Sequence, residues 1–459
     1  MSTPITRRNA LAALAAPALY AADPPPRRPN ILLVLADDLA SWMLGCYGNR
    51  EIKTPNIDRL AQSGVRFLNS FVVTPICSAS RATLFTGRVP RQHGIHDFLA
   101  PNPIENPPQG QKEPPPSFAK ETMLSDIFSS NRYNCGYVGK WHMGNDQAPG
   151  HGHQFTYTMA GGSSRYQDPT MFLNGKQVEE KGYLADLMTT QANHFLDQQS
   201  PSKPFFLTVS YFNPHTPYDG HPQRYYDMYA NTPFDTVGWE PPAPNALREK
   251  NLLNDTVSNL RKCAASTTAL DDQIPLLLNK LRQRNLASNT LVVFTGDNGF
   301  LLGRHGLWSK GLASDPINMY EEVMQVPMIM HWPGKIPVQA TRPELISFYD
   351  FLPTLCDAAQ LPKPNANLCG RSYLDLAMGK RPDRKNPWPD HVFGHFRNTE
   401  MARDSRYKLV LRDGGKGPGE LFDLREDPRE KVNQYENLEF LSVRERLTAE
   451  VAGWGKRFS

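Results

Sequence analysis

The sequence predicts an α/β fold in which a sheet with a parallel core is flanked by helices. Continuous apolar runs, typical of strands buried on both faces, alternate with segments of helical periodicity. After the proline-rich residues 361–365 the pattern changes to short alternating segments and a final amphipathic helix. This change predicts a second, smaller α+β domain. We therefore expect a large domain over residues 27–365 and a small one over residues 366–459.

The strands and helices of the large domain follow from these patterns. The predicted strands are residues 30–36, 65–73, 135–139, 205–211, 290–294 and 326–330. The predicted helices are residues 54–64, 184–199 and 257–286, with a kink at Pro275 in the last. In the small domain, residues 406–411 and 420–424 are predicted strands, and the apolar positions from Phe440 to Trp454 predict the final helix.

The first 22 residues have the composition of a signal peptide rather than of a folded segment. Arg7 and Arg8 precede a short apolar run over residues 10–20, with no acidic residue before Asp23. The run is too short to span a bilayer, and its paired arginines resemble a twin-arginine signal. We therefore expect export to the periplasm or the outside of the cell, with no membrane span elsewhere.

Composition excludes several classes of protein. Of the 459 residues, 39% are hydrophobic and 21% charged, as in an ordinary soluble globular protein. The net charge is only +4 and no basic tract is present, so we expect no binding to nucleic acid. Six cysteines without a C-x-x-C pair argue against a zinc cage and a dense disulfide framework.

Two pairs of residues with side-chain oxygen atoms follow predicted strands. Asp37 and Asp38 follow the first strand, and Asp297 and Asn298 follow the strand at residues 290–294. Ligands in open α/β sheets bind at the carboxyl ends of the strands, so these side chains are expected to converge. Their oxygen atoms suit calcium or magnesium. A single such pair is also typical of a helix cap, and both interpretations stay open on these residues alone.

The segment from Cys77 to Gly87 predicts a short helix with a cysteine at its N-terminus. Backbone N–H groups and the helix dipole favour an anion there, and Arg81 adds a guanidinium one turn later. This combination indicates nucleophilic chemistry on an anionic substrate. A buried structural cysteine beside a surface arginine is the alternative. Further candidates, each with an ordinary structural explanation when taken alone, are Lys140, His142, His215 and Lys310.

Taken together, these motifs resemble those of the formylglycine-dependent sulfatases of the alkaline-phosphatase-like superfamily. Cys77-Ser-Ala-Ser-Arg81 followed by Ala-Thr-Leu-Phe-Thr-Gly-Arg is similar to the family's signature. Gly139-Lys-Trp-His-Met-Gly is similar to its second motif, and Gly296-Asp-Asn-Gly also fits. The resemblance covers the chain from about Arg28 to the C-terminus. It implies a large, mixed, mostly parallel sheet in a catalytic domain over residues 27–365, with residues 366–459 as a C-terminal subdomain.

The resemblance also implies roles for the candidate residues. A maturase would convert Cys77 to formylglycine, whose hydrated gem-diol is the nucleophile. One Ca²⁺ per chain would touch that residue and bind Asp37, Asp38, Asp297 and Asn298. His142 would bond the gem-diol and help to expel sulfate, and His215, or else Lys310, would protonate the leaving alcohol. The implied sulfate contacts are Arg81, Lys140, His215 and Lys310.

The substrate is less closely defined than the reaction. We expect a sulfated carbohydrate first and a small aryl or choline sulfate second. Two rival hypotheses are a phosphonate or phosphodiester hydrolase with the same nucleophile and a glycan-binding relative without activity. Substrate contacts are expected from His96 and Asp97 and from the loops at residues 150–170 and 231–247. Position 79 is Ala where many members of the family carry Pro, so the maturase is not identified.

Overall fold

The computed structural model describes residues 28–100 and 110–459, and its strands form two sheets. The predicted signal peptide, residues 1–22, lies outside the described residues, as do residues 101–109. None of the helices in the two described segments is long and apolar enough to cross a membrane.

Ten strands form the large sheet and four form the small one. Those of the large sheet are β1 (Asn30–Asp37), β2 (Val65–Phe71), β3 (Asn134–Gly139), β4 (Phe155–Met159), β5 (Thr170–Leu173), β6 (Lys176–Glu179), β7 (Phe205–Pro214), β8 (Thr290–Gly296), β9 (Met328–His331) and β10 (Ala340–Ser347). Those of the small sheet are β11 (His391–Phe396), β12 (Thr399–Asp404), β13 (Tyr407–Arg412) and β14 (Glu420–Asp423).

Helices pack around these sheets. They are α1 (Pro55–Gln62), α2 (Cys77–Thr86), α3 (Pro90–His93), α4 (Leu124–Ser130), α5 (Leu184–Asp197), α6 (Gln223–Asp227), α7 (Thr256–Asp271), α8 (Ile274–Gln283), α9 (Glu321–Met324), α10 (Phe351–Ala358), α11 (Leu374–Ala377) and α12 (Leu441–Arg457).

The large sheet is mixed but mostly parallel, which confirms the predicted fold class. Its strand order is β10-β2-β9-β8-β1-β7-β3-β4-β5-β6. Strands β8, β1, β7, β3 and β4 are parallel neighbours at its centre. Only β5 and β9 run against the other strands. The central strands therefore end at one edge of the sheet.

Strand β1 is apolar throughout because it is buried on both faces. Ile31, Leu33 and Leu35 belong to the core on one side of the sheet. Leu32 and Val34 belong to the core on the other side, so successive residues serve different layers. This burial explains why β1 shows a continuous apolar run in the sequence.

Two parts of the large domain differ from the predictions. The predicted helix over residues 257–286 is divided into α7 and α8, and Pro275 lies in the first turn of α8 instead of kinking a single helix. Strands β4, β5, β6 and β10 have no counterpart among the predicted strands. The edge strand β10 carries Arg342, Pro343 and Glu344, and its partial exposure removes the apolar run that marks a buried strand.

The small sheet is antiparallel and packs against α12. Trp454 of α12 stacks on Phe393 of β11, with ring centroids 5.0 Å apart. Their core also includes Val73, Val89 and Tyr349 from the large domain. The small domain is thus packed directly on the large one, and the boundary at residues 365 and 366 stays a prediction.

Candidate active site

Four adjacent parallel strands deliver polar side chains to one edge of the large sheet. Asp37 is the last residue of β1, Lys140 follows β3, and Asp297 follows β8. His215 follows β7. Cys77 begins α2, which comes after β2, a strand that β9 separates from β8 in the sheet. The structure thus brings together groups that lie more than two hundred residues apart in sequence.

Cys77 is buried among these charged groups. Lys310 Nζ donates to Cys77 Sγ at 2.8 Å, and the thiol lies 3.4 Å from Asp37 Oδ1 and 4.0 Å from Asp38 Oδ1. Burial raises the pKa of Cys77 to about 12, although Lys140 and Lys310 oppose the rise. At neutral pH the side chain is therefore a thiol, which is a poor nucleophile compared with a thiolate.

Three carboxylates and one amide surround this point. Asn298 Nδ2 donates to Asp38 Oδ1 at 2.8 Å, and the backbone N–H of Asp38 donates to Asp297 Oδ1 at 3.0 Å. Burial and the neighbouring carboxylates raise the pKa of Asp37 to about 7, against the opposing charge of Lys140. The cluster therefore needs positive charge to keep all of its carboxylates ionised.

Buried cations supply part of that charge. Lys140 Nζ donates to Asp37 Oδ2 at 2.6 Å, and Arg81 Nε donates to Asp297 Oδ2 at 2.8 Å. Although burial opposes it, Arg81 and Lys310 hold the pKa of Asp297 below its usual range. Arg81 Nη1 also donates to the Lys140 carbonyl at 2.6 Å, and Nη2 has no hydrogen-bond partner among the described residues.

The donor set fits a hard divalent cation. The carboxylates of Asp37 and Asp38 offer oxygen atoms within 4.8 Å of each other and of ligand atoms of Cys77 and His215, and Asp297 is not among the described residues of that group. Asn298 Oδ1 is buried and makes no hydrogen bond within the described part of the chain. An unpartnered amide oxygen beside ionised carboxylates is what a calcium site provides. The predicted set of Asp37, Asp38, Asp297 and Asn298 is therefore compatible with Ca²⁺.

Two histidines lie at the same place with different hydrogen bonds. His142 Nε2 is 2.8 Å from the Leu99 carbonyl, which assigns the ring proton to Nε2. Its Nδ1 is buried without a partner in the described chain, and burial lowers the pKa of His142 well below the usual value. His215 Nδ1 is 2.5 Å from the Thr216 carbonyl, and Nε2 lies 3.6 Å from Asp38 Oδ2. Burial lowers the pKa of His215 to about 4, although Asp38 raises it.

A cavity of about 290 Å³ opens onto Cys77. Of the predicted site residues, its walls include Asp38, Cys77, His142, His215 and Lys310. Arg81 and Lys140 are fully buried and are not among the described residues that line it. The contacts of these two cations favour a role in holding the carboxylates, and their predicted contact with sulfate stays a prediction.

Neither His96 nor Asp97 is among the described residues that line the cavity. The Asp97 carboxylate instead accepts from Arg397 Nε at 2.6 Å and from the backbone N–H of Phe98 at 2.8 Å. The Asp97 carboxylate is therefore held by an ion pair with a residue of the small domain, and the substrate contacts of His96 and Asp97 stay a prediction.

Several lining residues were not predicted. The loop at residues 150–170 contributes Gly161, Gly162 and Ser163, in agreement with the expectation that part of it borders the site. The residues of the wall that no predicted site residue or loop includes are Thr216, Arg248, Glu249 and Ser309, among others. Thr216 and Ser309 adjoin predicted site residues in sequence, which was the available signal. Arg248 and Glu249 follow the proline-rich loop at residues 231–247 and carry no motif.

Comparisons with known proteins agree with this geometry. Residues 29–361 match the family model described as Sulfatase, and residues 303–456 match the one described as N-sulphoglucosamine sulphohydrolase, C-terminal. An N-acetylglucosamine-6-O-sulfatase of Bacteroides thetaiotaomicron is 25% identical, over 92% of this chain and 85% of that protein. An ulvan-active sulfatase of Formosa agariphila is 28% identical, over 93% and 81%. The crystal structure of Ps i-CgsB with k-i-k-neocarrahexaose is 26% identical with a TM-score of 0.75, covering 94% of each chain.

The amide of Asn298 provides a test of the metal site that needs no activity. We expect Ca²⁺ to raise the melting temperature of the wild-type protein over that in EDTA, because a ligand that binds only the folded state stabilises it. Asn298→Ala should weaken Ca²⁺ binding by about tenfold or more, since it removes one oxygen from the shell. Thermal melts in CaCl₂ and in EDTA measure the first effect, and calorimetric titration with CaCl₂ measures the second.

Asn193→Ala is the matched control for this titration. Asn193 also has a buried Oδ1 without a partner in the described chain, but it lies on α5 away from the carboxylates. This control should bind Ca²⁺ as the wild type does. Equal Ca²⁺ affinity of the wild type and Asn298→Ala would contradict the assignment of the site.

Proposed function

The chain belongs to the sulfatase family, and we propose that it hydrolyses the sulfate monoester of a sulfated carbohydrate. As a member it is a sulfuric ester hydrolase. The observation that carries the proposal is Cys77, buried at the end of a cavity between a carboxylate cluster and the ammonium of Lys310. The names of the relatives, one acting on N-acetylglucosamine and one on ulvan, support a carbohydrate substrate.

The state of Cys77 decides the nucleophile. A thiol whose pKa is about 12 is not ionised at neutral pH, so the side chain as encoded is unsuited to attack on sulfur. We propose that a maturase converts Cys77 to formylglycine, and that the hydrated aldehyde supplies a hydroxyl for that attack. An ester formed on a diol collapses back to the aldehyde when the second hydroxyl is deprotonated, which allows turnover.

The metal and the cationic side chains would neutralise the negative charge of the carboxylate cluster and of the sulfate. Asp37, Asp38, Asp297 and Asn298 would hold Ca²⁺, which neutralises the cluster and withdraws charge from a sulfate oxygen when it is bound. Lys310 lines the cavity and donates to Cys77 Sγ, so its ammonium is placed to contact a sulfate held at that position. Arg81 and Lys140 do not line the cavity, and their ion pairs with Asp297 and Asp37 favour the ionised form of these carboxylates.

The two histidines would transfer protons on opposite sides of the sulfur. The neutral ring of His142 has a free lone pair on buried Nδ1, so His142 would accept the proton of the second hydroxyl as sulfate leaves. His215 Nδ1 is bonded to a carbonyl, so only the imidazolium form of His215 carries a proton on Nε2 that it could give to the leaving alcohol. Burial disfavours that form and lowers the pKa of His215 to about 4, whereas the Asp38 carboxylate, 3.6 Å from Nε2, favours it. Lys310 is the alternative donor.

The predicted signal peptide at residues 1–22 supports a location outside the cytoplasm. We place the enzyme in the periplasm or outside the cell, where sulfated polysaccharide fragments are met as substrates. The maturase that modifies Cys77 would then act before or during export.

Paired aryl substrates test the reaction class. We expect kcat/KM for 4-nitrophenyl sulfate to exceed that for bis(4-nitrophenyl) phosphate, because a sulfate monoester would present three free oxygens to Lys310 and the predicted Ca²⁺ site, and a phosphodiester only two. Initial rates on both compounds over a range of concentrations give the comparison. A large preference for the phosphodiester would show instead a phosphodiester or phosphonate hydrolase.

Leaving groups of different basicity identify the proton donor. Nitrophenolate leaves without protonation, whereas the alkoxide of a sugar does not. His215→Ala should therefore reduce hydrolysis of N-acetylglucosamine 6-sulfate by about a hundredfold more than that of 4-nitrophenyl sulfate. Lys310→Ala is measured beside it. Lys310 is the donor if Lys310→Ala reduces hydrolysis of the sugar sulfate far more than that of the aryl sulfate, and His215→Ala reduces hydrolysis of both substrates by the same factor.

Gly162 tests the placement of His142. A Cβ atom at Gly162 would lie 2.3 Å from His142 Nε2, whereas one at Gly161 would have nothing within 4 Å. Both glycines have a positive φ, 72° and 69°, so alanine strains the backbone equally at either position. Gly162→Ala should reduce kcat for 4-nitrophenyl sulfate by about a hundredfold, because it displaces the ring, and Gly161→Ala should lose far less. Equal reductions of kcat in the two variants would show that the position of the His142 ring does not affect the reaction.

A further inference from the structure

We infer that Arg248 binds a second anionic group of the substrate, so that the natural substrate is a carbohydrate with at least two negative charges. The second group would be another sulfate ester or a carboxylate, beside the sulfate that is hydrolysed. The inference rests on the proposed function and narrows its substrate class. Nothing in the comparisons assigns a role to this residue.

Arg248 is a cation in the wall of the catalytic cavity and has no carboxylate partner among the described residues. It lines the same cavity as Cys77 and Lys310. Its Nη1 is buried and makes no hydrogen bond within residues 28–100 and 110–459. No carboxylate in those segments forms an ion pair with it. A buried guanidinium nitrogen left without an acceptor is costly, and an anionic ligand would satisfy it.

The guanidinium is held in position before any ligand arrives. Its Cζ lies 4.5 Å from the centroid of the Phe98 ring, as in a cation–π contact. The preceding backbone is tied to the segment after Lys310, since the N–H of Leu247 donates to the Ala313 carbonyl at 2.7 Å. Arg248 is therefore fixed relative to the reaction centre.

The neighbouring carboxylates are engaged elsewhere. Asp97 is bound by Arg397 and by the backbone N–H of Phe98. Glu249, the next residue, accepts from Thr216 Oγ1 at 2.9 Å through its Oε1. Neither acid forms an ion pair with Arg248 in the described chain, although the charge of Arg248 acts on Asp97 and helps to oppose the rise of its pKa. The hydrogen-bonding groups of Arg248 therefore stay available to a ligand.

The scissile sulfate has other contacts. Lys310 donates to Cys77 Sγ and to Asp38, and His215 Nε2 faces Asp38, whereas Arg248 contacts none of these groups in the described chain. A separate anion is thus the ligand for Arg248. A planar guanidinium fork matches sulfate and carboxylate oxygens equally well, so the two sources share one chemistry.

Inhibition constants against 4-nitrophenyl sulfate test the inference. The inhibitors are N-acetylglucosamine 6-sulfate, glucosamine 2-N,6-O-disulfate, and N-acetylglucosamine 6-sulfate linked to glucuronate. The wild type should bind at least one of the doubly charged compounds about tenfold or more tightly than the singly charged one, the worth of a charge-assisted hydrogen bond. If the disulfate binds more tightly, the second anion is a sulfate, and if the glucuronate compound binds more tightly, it is a carboxylate.

Arg248→Gln should abolish this preference, and Arg248→Lys should retain part of it, because the charge stays but the fork is lost. Arg444→Gln is the matched control, since Arg444 also stacks on an aromatic ring, 4.8 Å from the centroid of Tyr435, but does not line the cavity. That control should keep the wild-type preference.

The outcomes separate the inference from the proposed function. A wild type that shows no preference for the second anion, or an Arg248→Gln variant that keeps the preference, overturns the role of Arg248. If Arg248 only balances the charge of Asp97, the variant will change stability without changing the ratio of inhibition constants, which also overturns the inference. Failure of the wild type to hydrolyse 4-nitrophenyl sulfate contradicts the proposed function instead.

Discussion

The site depends on keeping several buried carboxylates ionised at one edge of the sheet. Asp37, Asp38 and Asp297 repel one another, and burial adds to the cost of their charge. Arg81, Lys140 and Lys310 offset that cost through direct ion pairs. The donor set leaves room for one more cation, since Asn298 Oδ1 has no partner in the described chain. Charge balance therefore links the metal site, the helix of Cys77 and the substrate cavity.

The sheet makes this arrangement possible. Five parallel neighbours at its centre direct their carboxyl ends to one side, and the residues that follow four of them form most of the cluster. A ligand at this edge meets short segments that rigid strands hold in place. The same cavity wall also contains residues of longer loops, among them Gly161, Gly162 and Arg248.

Much of the central sheet could be predicted because strands such as β1 are buried on both faces and leave continuous apolar runs. The residues that follow two of them, Asp37 and Asp297, were accordingly assigned to one edge. Strand β10 escaped prediction because it lies at the sheet edge and carries charged residues. The wall residue Arg248 and the ion pair of Asp97 with Arg397 depend on contacts between distant loops, which no local pattern reveals.

The account rests on the chemical identity of residue 77 in the working enzyme. Mass spectrometry of the tryptic peptide from Phe67 to Arg81, taken from protein that hydrolyses a sulfate ester, measures it directly. We expect the peptide to carry an aldehyde in place of the thiol-bearing group of Cys77, with the modified fraction following the specific activity. Fully active protein with an unmodified cysteine at position 77 would contradict the account.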